Sequence, residues 1–152
     1  MDEELERQLV DEYPELYEWY DKDPDATDGP VPPLTAYGFS VGDGWYELLE
    51  SLSEVLTRRE VDVEVHQVKE KFGGLRFYHG GVESDEERDA YMAMGAIRHA
   101  EEMSFHVCED CGAAAELRQQ GWFRTLCDEC WTEEKARRRE RSPRDLTPPD
   151  NE

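Results

Sequence analysis

Residues 61–81 read VDVEVHQVKEKFGGLRFYHGG, and the way this stretch pairs with itself decides the fold. Val61, Val63 and Val65 alternate with Asp62 and Glu64, the period of a half-buried strand. Leu75 and Phe77 alternate in the same manner with Arg76 and Tyr78. Two such runs joined through EKFGG (70–74) predict an antiparallel β-hairpin, since Gly-Gly is an ordinary device for a tight connection. Leu75 and Phe77 then turn inward, leaving Lys69, Lys71 and Arg76 outside. A second reading of the stretch is a local anion nest made by the amides of Phe72, Gly73 and Gly74 between those cations. The candidate patch for an anionic partner is therefore Lys69, Lys71, Gly73, Gly74 and Arg76. A nucleotide loop is excluded, because a P-loop ends in Gly-Lys-Ser/Thr and a dinucleotide fingerprint needs three spaced glycines.

Helical periods flank the hairpin. Upstream, VGDGWYELLESLSEVLTRRE (41–60) places Trp45, Leu48, Leu49, Leu52, Val55 and Leu56 on one helix face, with Asp43 and Gly44 at its start to meet the free amides. Trp45 reads as a core anchor. Downstream, SDEERDAYMAMGAIRHAEEMS (84–104) opens with Ser84 three residues before Glu87, the spacing of a capping box. Its apolar stripe is Ala90, Ala93, Met94, Ile97 and Ala100, with Met94 and Met103 read as core fillers. At the N-terminus, residues 3–12 are helix-competent, Tyr13-Pro14 interrupts them, and Glu15–Tyr20 predicts a short second helix burying Leu16, Tyr17 and Tyr20. DKDPDATDGPVPP (21–33) is an acidic loop.

All four cysteines lie in CEDCGAAAELRQQGWFRTLCDEC (108–130), which is CxxC, fifteen residues, then CxxC. Two residues between thiolates let both reach one ion, and this spacing is that of four-cysteine zinc sites. Cys108, Cys111, Cys127 and Cys130 are thus the candidate ligands of one structural Zn²⁺, with iron or a redox pair of dithiols as alternatives. Four thiolates fill a tetrahedron and leave no position for water or substrate. His106 is a conceivable substitute donor that four cysteines do not require. AAELR and WFRTL read as short strands, and WTEEKARRRER as a helix directly after the second pair. The order of knuckle, hairpin and helix is treble-clef-like. The expected fold class is α+β: a small antiparallel sheet packed by helices over residues 1–105, a four-cysteine zinc module with a basic helix over 106–141, and a disordered tail, SPRDLTPPDNE, over 142–152.

Several stretches together resemble a family of small uncharacterised bacteriophage and prophage proteins: YPELY (13–17), YGFSVGDGWYELLESL (37–52), QVKEKFGGLRFY (67–78), AEEMS (100–104), CEDCG (108–112) and GWFRTLCDEC (121–130). Relatives often carry Cys where this chain has Val41, and they generally lack its acidity. The resemblance implies a phage-linked zinc-binding protein and supplies no catalytic residues.

Composition bounds the function. The 152 residues carry a formal charge of -21, with 38 acidic residues against 17 basic ones. Such a surface repels nucleic acid and anionic membranes at long range and favours basic partners. High-salt adaptation, a solvated surface without a role, and mimicry of DNA are three accounts of the acidity. The charge is uneven: residues 1–30 hold 12 acidic and 2 basic residues, whereas 61–80 hold 3 of each. No secretory leader or membrane span is legible, so the expected place is the cytoplasm, where paired cysteines are more often metal ligands than disulfides. His66, His79, His99 and His106 stand singly, with no nucleophile in a recognisable motif, so no catalytic residue is assigned. The expected function is a non-enzymatic, zinc-stabilised accessory protein that binds a host or phage macromolecule, with a protein as the favoured partner. The runner-up is nucleic-acid binding through the basic hairpin and the arginines of the zinc module, Arg118, Arg124 and ARRRER (136–141). An acidic DNA mimic or regulator of a DNA-binding protein is the third.

Overall fold

The computed structural model describes residues 1–26, 28–59, 61–119 and 121–141; the predicted tail, 142–152, lies outside them. The described residues form an α+β fold in the order α1 (Glu3–Glu12), α2 (Pro33–Tyr37), β1 (Phe39–Ser40), α3 (Tyr46–Arg58), β2 (Asp62–Lys71), β3 (Gly74–Glu83), α4 (Glu87–Met103), β4 (Glu116–Arg118), β5 (Arg124–Leu126) and α5 (Asp128–Arg141). Two sheets result, β1-β2-β3 and β4-β5.

The hairpin forms as its period predicts. β2 and β3 pair antiparallel, with Lys71 opposite Gly74, so only Phe72 and Gly73 make the turn. Both have positive φ, 56° and 81°, which is the requirement of a type I′ connection. Gly73 meets it freely, whereas Phe72 is a bulky side chain on left-handed backbone. Val63, Val65, Val68, Leu75 and Phe77 are buried on the inner face. β1, a short strand not foreseen in the sequence, pairs parallel to β2 through Phe39 with Val68. The first part of the free edge of β3 is capped by side chains: Leu75 N donates to Ser104 Oγ at 2.8 Å and Phe77 N to Glu101 Oε1 at 2.9 Å. Capping these amides shortens the template an open edge would offer to another chain.

The helices bury a narrower stripe than periodicity alone predicts. In α3, Leu49, Leu52 and Leu56 are buried beneath Trp45, but Val55 is exposed and Ser53 takes the flank instead. Ser53 is tolerated there because its hydroxyl meets Tyr17 Oη at 2.7 Å and Leu49 O at 2.8 Å. In α4, Ala93, Ile97 and Ala100 face the core, while Met94 and Met103 are exposed and fill no gap. The capping box does not form. β3 runs on to Glu83, the helix starts from Glu86, and Ser84 Oγ accepts only the Glu86 amide at 3.3 Å. Glu15–Tyr20 is a series of turns rather than a helix. Pro14 lies at its head, and six residues return too few hydrogen bonds to offset nucleation. Leu16 and Tyr17 are nonetheless buried and hold the segment from their side chains, Tyr17 edge-on to Phe39 with ring centroids 5.0 Å apart. Among the described residues no helix is long and apolar enough to cross a membrane.

Candidate metal centre

The four predicted cysteines meet. Their sulfurs all lie within 4.8 Å of one another, and Cys111 Sγ is 3.7 Å from Cys127 Sγ. A metal–thiolate bond of about 2.3 Å in a tetrahedron sets sulfurs roughly 3.8 Å apart, so the constellation fits one four-coordinate ion. The first pair sits on a knuckle closed by Cys108 N to Ala113 O at 2.7 Å and Gly112 N to Cys108 O at 2.9 Å. The second pair straddles the start of α5, where the Cys130 amide donates to Cys127 Sγ at 3.4 Å. That amide holds the Cys127 thiol below its ordinary pKa, whereas burial, with the neighbouring thiols, pushes Cys130 up. Four crowded thiols cannot all ionise alone; a bound cation lets the thiolates coexist. His106 is not part of the cluster, and its backbone carbonyl instead accepts the Ala115 amide at 2.9 Å.

Beneath the ligands, the lobe is seated on the body through contacts the sequence did not announce. Gly44 N donates to Glu109 O at 2.8 Å, and Trp45 Nε1 donates to Val107 O at 2.8 Å. A Cβ at Gly44 would collide with the Cys108 carbonyl and with the amides of Cys111 and Gly112. The helix-capping role expected of Asp43 and Gly44 is therefore not what they do. Asp43 Oδ1 accepts the Asp2 amide at 2.7 Å, and Gly44 is the flat place on which the knuckle rests. On the other side, Thr125, fully buried, donates its hydroxyl to Gly73 O at 2.6 Å. The signals available in the sequence were the two glycines of GDGW and a threonine between apolar residues in RTL.

Charge around the knuckle is internally paired. Glu109, buried beside Cys108, accepts from Gly42 N at 3.2 Å and from Arg124 Nη2 at 3.0 Å. Desolvation pushes its carboxyl up and Arg124 opposes the shift. Arg124 also meets Asp110 at 2.6 Å, and Arg137 spans Asp110 and Glu134. Arg138 pairs with Glu134 at 2.7 Å, the i to i+4 neutralisation expected for the ARRRER helix. Arg118 is likewise engaged by Glu116 and Asp128.

The candidate anionic-partner patch is divided by the structure. Gly73 and Gly74 are buried, with Leu117 and Phe105 filling the space a side chain would need. The Gly73 amide is bonded to Glu70 Oε1 at 2.5 Å, so the chain's own carboxylate occupies the nest. Lys69 and Arg76 are cross-strand partners on the outer face of the sheet and Lys71 is exposed. Compared with models of protein families, with curated proteins and with solved structures, the chain matches none.

Proposed function

We propose that this chain is a non-enzymatic binding protein whose C-terminal lobe is held by one structural Zn²⁺, an accessory protein of the phage type it resembles, acting on a host or phage macromolecule in a reducing cytoplasm. The observation that carries the proposal is the closed donor set: Cys108, Cys111, Cys127 and Cys130 converge within 4.8 Å. Four thiolates around a tetrahedral ion leave it no coordination site for chemistry. Soft sulfur donors in this geometry suit zinc or iron, and the CxxC pairs at this spacing favour zinc.

A binding role draws further support from the apolar groups that the fold leaves outside. Phe72, Trp122 and Phe123, at the ends of the two hairpins, are 63%, 70% and 40% exposed. Exposed large aromatics gathered at one end of a polar molecule mark interaction sites more often than isolated surface positions do. Elemental analysis with native mass spectrometry tests the metal, and affinity purification of the tagged chain tests the partner. One zinc per chain and a partner lost in Cys127→Ser are expected. Iron in the reduced protein would refute the zinc assignment, and a turnover abolished by a single histidine or carboxylate substitution, with metal and fold intact, would refute the non-enzymatic reading.

A further inference from the structure

Among the described residues, Lys69, Lys71 and Arg76 form no ion pair, although carboxylates outnumber cations by more than two to one in the chain. The cations of the metal lobe provide the contrast: Arg118, Arg124, Arg137 and Arg138 all meet carboxylates within 4.0 Å. The three unpaired cations share the outer face and end of one hairpin, set by the register Lys69 with Arg76 and Lys71 with Gly74. No strand residue at this end of that face carries a carboxylate. Glu70 points the other way onto the Gly73 amide, and Asp62 and Glu83 pair at the far end of the strands. Of the acidic groups that border the same groove as Arg76, Glu101 is committed to the Phe77 amide, and the other is Glu102.

Aromatic rings interleave with these cations. Lys69 Nζ lies 5.3 Å from the centroid of Tyr78, and Lys71 Nζ lies 5.4 Å from that of Phe72. Phe72 in turn meets Phe123 of the second hairpin edge-on at 6.3 Å. The three rings are 40% to 63% exposed. Phe72 also has φ +56°, where Asn or Gly is better suited, so the turn keeps a ring in water at a conformational cost.

We propose that this face, Lys69, Lys71, Phe72, Arg76, Tyr78 and Phe123, binds single-stranded nucleic acid, its rings stacking on bases and its cations meeting phosphates. The proposal rests on the binding role above and names its partner. Alternating cations and exposed rings are what a single strand offers ligands for, because its bases are free to leave their own stack. A duplex hides its bases and is stiff, and it would carry its phosphates over the acidic remainder of the surface. At physiological salt the field of that remainder is screened over about 8 Å, so the charges beside the face decide a short contact.

The test is fluorescence anisotropy of labelled oligo(dT), oligo(rU) and a duplex, using the zinc-loaded full chain over a salt series. Three phosphate contacts predict that log K falls with log salt with a slope of about −2. Phe72→Asn, which suits the turn better, and Tyr78→Ala should each weaken binding by about 5- to 150-fold while zinc content stays at one per chain. Lys69→Gln with Lys71→Gln should flatten the slope, and Arg139→Gln on α5 should not. Absence of binding at low salt overturns the inference while leaving the zinc-held binding role standing, provided that zinc and the captured partner are retained. Equal affinity for duplex, equal competition by an acidic polypeptide, or equal loss in Arg139→Gln would also overturn it.

Discussion

In residues 1–105 some twenty buried apolar side chains close around β2 and β3, from Leu9 in α1 to Ala100 in α4. Residues 106–141 bury Leu126 and Trp131 beside Cys108 and Cys127, and little else. The first region has a core of the size that folds by removing apolar surface from water. The second has little apolar core of its own, and a stretch of fewer than about 40 residues usually needs a metal, a disulfide or a partner surface to hold it; its four clustered cysteines offer a possible metal site. The two are joined by polar backbone contacts at Gly44 and Gly73, where a missing side chain permits close approach. One chain thus sets an apolar core, a cluster of four cysteines able to hold a metal, and glycine docking side by side.

On the proposed zinc reading, the largest effect should follow from removing the metal, since a structural zinc contributes roughly 10–16 kcal/mol of binding free energy. With a strong chelator, or in Cys127→Ser, hydrogen exchange of β4, β5 and the start of α5 should become fast while β2, β3 and α3 stay protected. Uniform loss of protection would break the contrast, making lobe and body one cooperative unit. Trp45→Ala strikes the body, where the indole is fully buried and bonded to Val107 O. A loss of about 3–5 kcal/mol is expected from the shift in denaturation midpoint.

Gly44→Ala probes the seam. Its Cβ would meet backbone rather than a flexible side chain, so an overpacking cost of about 1–3 kcal/mol is expected, with faster transfer of metal to a chelator. If both are unchanged, the knuckle does not rest on Gly44. Thr125→Val leaves the buried Gly73 carbonyl without its donor, for a loss of about 1–3 kcal/mol that should be absent in the metal-free protein, where β5 is already undone.

The smallest effect is one of pH. The Trp19 indole N–H holds the Glu64 carboxyl below the usual carboxylate range. Because the folded value is lower than the unfolded one, the contact contributes above the unfolded carboxylate range and is lost as pH falls through the folded value. Tryptophan fluorescence should report a transition on the acid side of about pH 4 that Glu64→Gln removes. A transition that persists in that variant would assign the change elsewhere.

Local information sufficed for the strand period of 61–65 and 75–78, the helix faces around Leu49 and Ile97, and the cysteine spacing that brings four sulfurs together. Each depends on residues a few positions apart, so geometry along the chain settles it. The same information misplaced Val55, Met94 and Met103, because a helix face has two flanks and the neighbour chooses between them. It was Tyr17 that drew Ser53 inward in place of Val55.

By itself, then, the sequence of this protein determined the hairpin, the helical stripes and the ligand set, since periodicity and metal-donor spacing are short-range properties. Only the tertiary structure decided that Gly44 and Gly73 serve as docking points, that Glu70 fills the amide nest, and that Phe72 and Phe123 share one surface with Lys69 and Lys71. Those pairings join segments more than fifty residues apart in several cases, and close packing rather than any local preference selects which atoms meet.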